Sequence, residues 1–248
     1  MLKHVAAAVA VGLAALASGS ALADGMPRGS LKDTPSCCAG PNWNGFYIGA
    51  TVGYGHLVGR NDYTGPPISQ TWNSDSGTGG LAGVTIGFDR QVRERMIWGL
   101  FAEYDLSAIE VEYQNPTVSQ SFRLRDTISI GSRTGFLVSP STMLFMTGGY
   151  SWAHGKSDGY FDIDNGGILP GVTKLNLSGW FVGGGMEVAM TDRLFLRTEV
   201  RYTKFGEEIT NIDPGVYVDR FEPSILAARL TLTYKFQREH QHHAEPLK

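Results

Sequence analysis

The chain has 248 residues, 18% of them charged, with a formal net charge of -3 and a pI near 6.1. That balance supplies no basic patch for nucleic acid. After the N-terminus no stretch approaches the roughly 18 consecutive apolar residues of a membrane helix, so membrane residence requires a closed sheet in which every backbone polar group is paired.

The N-terminus carries Lys3 and His4, then an apolar run over residues 5–17, then Ala21-Leu22-Ala23. These are the three parts of a secretory signal with an A-x-A cleavage site. Residues 1–23 are therefore expected to be removed on export, leaving a chain that starts at Asp24. Residues 24–41 read as a Pro/Gly/Ser-containing periplasmic linker holding Cys37 and Cys38. Two thiols without a function, or a strained local disulfide, are favoured there over a redox or intermolecular role.

From residue 42 to residue 236 the pattern changes to eight segments of strict alternation. In the first, Phe46, Ile48, Ala50, Val52 and Tyr54 occupy the even positions; in the last, Leu226, Ala228, Leu230, Leu232, Tyr234 and Phe236 do so. Residues 82–88, 98–108, 128–136, 144–152, 180–188 and 194–202 lie between them and follow the same rule. Their even positions hold only apolar, aromatic, small or hydroxyl residues, and none is charged. This is the period of a strand with one face in lipid, where an arginine or lysine costs about 2–4 kcal/mol at mid-bilayer. The predicted fold is all-β, an eight-stranded antiparallel up-and-down transmembrane barrel. A soluble sandwich would alternate too, but with a polar outer face.

Connections alternate in length. Residues 56–77, 109–125, 155–176 and 205–223 read as long loops, and residues 89–96, 139–141 and 190–192 as short turns, the asymmetry of outer-membrane barrels. Eight strands bring both termini to the periplasmic side. In that orientation the outward aromatics sort into two girdles. Phe46, Phe88, Trp98, Phe136, Tyr234 and Phe236 fall at the periplasmic ends; Tyr54, Tyr104, Tyr150, Trp152, Trp180 and Tyr202 fall at the outer ends.

The odd positions carry Glu103, Asp105, Arg133, Glu187, Arg197, Glu199, Arg201 and Arg229, acids and bases in equal number. An eight-stranded lumen is only wide enough to be filled by side chains, and a charge there is costly without a partner, so a salt-bridge network is expected. A charged constriction that passes ions is the competing reading. Residues 237–248 form a polar periplasmic tail. Its His240, His242 and His243 lack a supporting ligand framework, and a solvated tail is favoured over a metal site.

Three stretches, NWNGFYIGATVGYG (residues 42–55), MTGGYSWAHG (146–155) and GWFVGGGMEVAMTDRLFLRTEVRY (179–202), resemble the small outer-membrane β-barrel proteins of alpha-proteobacteria, the outer-membrane immunogenic or porin-family proteins. The resemblance spans residues 42–236. It implies a barrel akin to the membrane part of the OmpA class, associated with lipopolysaccharide and envelope integrity. It also implies that the closing LTLTYKF, with Tyr234 and Phe236, is the signal read by the outer-membrane assembly machinery. Two departures stand out. Gly131 replaces the first arginine of the family's fourth-strand pair, leaving Arg133, and the chain continues past Phe236.

Other candidates weigh less. Asp158, Asp162, Asp164 and Asn165, and Glu207, Glu208, Asp213, Asp219 and Glu222, match no calcium-loop spacing. Ser151 and His154, three apart on a strand, point to opposite faces and cannot act as a hydrolytic pair; His56 is the other histidine on that side. Arg60, Arg123, Arg125, Lys156, Lys174, Lys204 and Arg220 sit at the outer rim, where lipopolysaccharide phosphates lie. The expected protein is thus exported to the outer membrane, with a structural and surface role: envelope integrity, lipopolysaccharide contact and loop display. No catalytic residue, cofactor or metal is expected. A narrow diffusion channel is the alternative, ahead of an adhesin or a lipid-modifying enzyme.

Overall fold

The computed structural model describes residues 41–65, 68–115, 118–163, 167–213 and 217–236, with side chains described for 41–59, 76–111, 121–156, 175–207 and 222–236. Among these residues there is no helix. The strands are β1 (Gly45–Gly65), β2 (Ile68–Arg93), β3 (Met96–Asn115), β4 (Val118–Ser139), β5 (Thr142–Ile163), β6 (Gly167–Ala189), β7 (Leu194–Phe205), β8 (Glu208–Asp213) and β9 (Tyr217–Phe236). Each pairs antiparallel with its neighbour, and β1 pairs with β9 to close the sheet. The short β8 continues the line of β7 beyond Gly206 and Glu207 and pairs with the same strand, so the nine segments form an eight-stranded barrel.

Closure fixes the stagger. Directly opposed partners, followed around the barrel from Gly45, are Asp89, Gly99, Arg133, Thr147, Gly183, Arg201 and Ala227, and they return to β1 at Gly55. A stagger of that kind obliges the strands to tilt, by about 35–45° in such barrels.

The alternation read from the sequence sorts the side chains. Ile48, Val52, Val84, Ile86, Leu100, Ile130, Met146, Leu230 and Leu232 are exposed on the outer wall, while the odd positions between them are buried. An exposed apolar belt that encircles the molecule is far larger than the few hundred Å² an aqueous monomer tolerates, and it has the chemistry of a lipid-facing surface.

Two features differ from the sequence expectation. The four stretches read as long loops are mostly strand. β2 alone runs 26 residues, against the roughly 9–11 that a tilted strand needs to cross a membrane. The hairpins continue past the apolar belt because pairing satisfies the backbone there as well, and Leu57, Ile109, Val111, Phe122, Leu124, Leu175, Leu177, Phe205 and Ile225 give that extension a buried apolar core. The stretch read as a turn over residues 89–96 is also shorter. β2 extends to Arg93 and only residues 94 and 95 turn, which leaves Asp89 in a strand.

The turn end is laced by backbone bonds between neighbouring turns: Leu137 N–H donates to Arg95 O (2.8 Å), Ala189 N–H to Ser141 O (2.8 Å) and Lys235 N–H to Arg193 O (2.9 Å). Beneath them Trp43, Ile97, Leu137, Met143, Phe145 and Phe195 form a second apolar cluster that covers the lumen. Trp43 Nε1 donates to Pro140 O at 3.1 Å and so keeps its one polar atom paired.

Candidate functional site

The lumen between these two apolar caps holds the charges. Nearest the turns, Arg133 on β4 spans two carboxylates. Its Nε donates to Asp89 Oδ1 at 2.8 Å and its Nη2 to Asp89 Oδ2, while its Nη1 donates to Glu187 Oε2 at 2.6 Å. Arg197 Nε donates to the same Glu187 oxygen at 2.8 Å, directly across the β6–β7 pairing. Lys235 Nζ donates to Asp89 Oδ2 at 2.8 Å and to Trp43 O at 3.3 Å, and lies 3.4 Å from Glu187 Oε1. The ring of Tyr47 lies under Arg133 and Arg197, 4.9 and 5.4 Å from their guanidinium carbons, and Phe195 lies 4.5 Å from the lysine nitrogen.

Further toward the hairpins is a second layer. Arg201 grips Glu199 through Nε and Nη2 at 2.9 and 3.0 Å, and its Nη1 reaches Glu103 Oε2 at 2.5 Å. Arg229 Nη2 donates to Asp105 Oδ1 at 3.0 Å and lies 3.2 Å from Glu103. Thr147 Oγ1 donates to Glu199 Oε1 at 2.8 Å. Phe101 and Phe181, whose centroids are 6.1 Å apart, pack against Arg201, with Phe181 only 4.4 Å from its guanidinium carbon.

All these side chains are buried. The layer near the turns has three cations and two carboxylates, the other two cations and three carboxylates, so the small excesses are opposite in sign and face one another. Such pairs stabilise little over an apolar filling, since desolvation offsets the attraction, but deletion of one member strands its partner.

The structure thus brings together every lumen residue named from the sequence and adds Asp89 and Lys235. Both sit at odd positions and carry the signal that identified the others. Asp89 falls in the stretch whose sequence reads as a turn, and Lys235 lies in the terminal strand between Tyr234 and Phe236. Gly131 explains itself sterically: a Cβ there would lie 2.7 Å from Phe181 Cζ and 2.9 Å from Phe101 Cζ, so the phenylalanine pair occupies the space an arginine would take. Gly183 has a similar task, since a Cβ would come within 2.6 Å of Glu199 Oε1.

On the outer wall, Phe46 faces both Phe88 and Phe236 near the turns, and Tyr150 faces Trp180 near the other limit of the belt. Trp98, Phe136, Tyr234, Tyr54, Tyr104 and Trp152 are exposed beside them, and Tyr202 is half-buried against Trp180 (centroids 5.8 Å apart). Tyr54 is eight residues beyond Phe46 along β1. At about 3.3 Å per residue and a tilt near 40°, the two bands are about 20 Å apart, close to the roughly 25 Å apolar height of barrels in outer membranes.

A family model described as outer membrane protein beta-barrel domain matches residues 5–236. The chain belongs to that family. It is 26% identical over 195 residues to the 25 kDa outer-membrane immunogenic protein of Brucella canis, covering 79% of this chain and 80% of the relative. It is 22% identical over 207 residues to the 31 kDa outer-membrane immunogenic protein of Brucella melitensis, covering 79% and 84%. Among solved structures, the outer membrane protein OprG of Pseudomonas aeruginosa superposes with a TM-score of 0.52 at 10% identity, over 80% of this chain and 99% of OprG, a likeness of fold alone. This outer-membrane barrel accordingly resides in the outer membrane.

The remaining candidates are dispersed. Ser151 is buried and hydrogen-bonded to Ser129 (2.8 Å), whereas His154 faces outward with its Nδ1 2.7 Å from Asp126 Oδ2. His56 is half-buried on β1. Lys204 pairs with Glu222 at 2.9 Å, Lys156 is half-buried and Glu207 is exposed. No cluster of three or more metal-ligating side chains occurs among the described residues. The segment expected to be a secretory signal, Cys37, Cys38, Asp164, Asn165, His240, His242 and His243 lie outside the described residues, as do the side chains of Arg60, Asp158, Asp162, Lys174, Glu208, Asp213, Asp219 and Arg220.

Proposed function

We propose that this outer-membrane barrel is a sealed structural element whose work is done on its outer surfaces: it supports envelope integrity, contacts lipopolysaccharide at the rim and displays its hairpins outside the cell. The observation that carries this reading is the filled lumen. Two apolar caps enclose two layers of paired charges, and Arg133, Arg197 and Arg201 lie against aromatic rings. An ion path through it would have to break several buried pairs at once.

Recording from planar bilayers, with protein refolded and checked for heat-modifiable gel mobility, tests the reading. Silent membranes or rare small openings are expected, and steady nanosiemens channels would establish the diffusion-channel alternative instead. The short turns and both ends of the barrel domain face the periplasm in this proposal. Arg123, Arg125, Lys156 and Lys204 then meet the phosphates of the outer leaflet, and Tyr234 with Phe236 presents the terminal strand to the assembly machinery. Neutralising Arg123, Arg125 and Lys204 together lowers the lipopolysaccharide retained on purification; unchanged retention would remove the lipid-contact part.

A further inference from the structure

At the seam between β3 and β4 the sheet is interrupted just beyond the aromatic band. Pairing runs as far as Leu106 opposite Asp126 and resumes with Ile109 opposite Leu124, so Ser107 and Ala108 on one strand and Arg125 on the other have no partner across the seam. On its far side β4 skips Arg125 again, because Asp126 faces His154 and Leu124 faces Gly155. One extra residue exchanges the two faces of a strand. Before the bulge the even-numbered Ile128 and Ile130 are exposed; past it Phe122 and Leu124 are buried, and Arg123 and Arg125 are turned to the outside.

The interruption opens a depression of about 530 Å³ in the outer wall. Its lining joins Tyr104, Leu106 and Ala108, which continue the outward face of the apolar belt along β3, to Glu110, Arg123, Arg125 and Asp126, with Ser107, Ile109 and Leu124 at its floor. Glu110 is held by Arg123 at 2.7 Å and Asp126 by His154 at 2.7 Å. Arg125 has no carboxylate partner among the described residues. The notch is therefore amphipathic: aliphatic and aromatic carbon lies beside a guanidinium that has no carboxylate partner among the described residues.

We infer that this notch binds the phosphorylated headgroup of an outer-leaflet glycolipid of the lipid A type. Arg125, assisted by Arg123, donates to the phosphate oxygens, and the first acyl carbons lie on Leu106, Ala108 and the ring of Tyr104. A guanidinium presents paired donors that match phosphate oxygens, and the contact strengthens beside the low-dielectric belt. The site is built by the bulge: without it Arg125 would point into the lumen. This inference rests on the proposed rim contact with lipopolysaccharide and narrows it to one place on the barrel wall.

The test uses the refolded full chain in detergent, with heat-modifiable mobility as the check of folding. The probes are lipid A with its phosphates, the same lipid dephosphorylated, and inorganic phosphate, and binding is read by native mass spectrometry. R125Q is expected to weaken lipid A binding about tenfold, and the dephosphorylated lipid to bind the wild type as poorly as lipid A binds R125Q. R90Q, at the opposite end of the barrel, leaves binding unchanged. Inorganic phosphate that binds as tightly as lipid A would overturn the lipid assignment. If R125Q binds like the wild type while K204Q is weakened, the notch is overturned and the wider rim reading stands; if neither variant differs from wild type, both fall.

Discussion

Glu187 shows what a single buried charge does in this lumen. It faces Arg133, Arg197 and Lys235, and none of the four side chains meets solvent. E187L would leave three cations to share Asp89, and is expected to destabilise the barrel by about 3–5 kcal/mol, measured by urea unfolding in lipid vesicles. The contrast is Glu110, whose pair with Arg123 has side chains 38% and 63% exposed. E110Q should change stability by less than about 1 kcal/mol, since solvent screens that pair. Gly131 sets a steric limit. G131A pushes a methyl against both phenylalanine rings and Gly148 O, and about 1–3 kcal/mol of destabilisation is expected in the same assay.

At the scale of the strand, position along the barrel decides what a residue costs. Ile86 on β2 lies between the two aromatic bands and is 58% exposed, and Val92 on the same strand lies beyond them. I86R should cost about 2–4 kcal/mol and V92R about 0–1 kcal/mol, although both replace an exposed aliphatic by the same cation. Equal costs, read as shifts in the unfolding midpoint, would show that the belt is not the lipid-facing surface. The bulge in β4 is the other element-level device. It turns one strand inside out above the membrane, so Phe122 and Leu124 fill the hairpin core while two arginines reach the outer wall.

The molecule as a whole depends on closure of β1 onto β9. Phe236 faces Phe46 at this seam, and its ring meets Tyr234 edge-on with centroids 5.2 Å apart, yet it is exposed on the outer wall. Packing therefore gives it little to do in the finished barrel. F236A is expected to leave the unfolding midpoint of refolded protein within about 1 kcal/mol of wild type while lowering the amount assembled in the outer membrane of cells. Equal loss in both measurements would assign Phe236 to stability instead of assembly.

Much of this was legible in the sequence because a lipid-facing wall and a charged interior impose opposite chemistry on alternate residues. That rule alone separated Ile86 from Glu103 and Val200 from Arg201, and with it the fold class and the inward charges. It stopped where the lipid stops. Past the aromatic bands water accepts polar side chains on the outer face, so the long hairpins lost their apolar mark and read as loops, and the reversal at Arg125 left no trace in the composition. Which carboxylate meets which arginine was decided only by tertiary structure. The stagger on closure sets Glu187 against Arg197 and brings Lys235 to Asp89, a distance of 146 residues along the chain, and no local pattern encodes an offset that exists only once the barrel has shut.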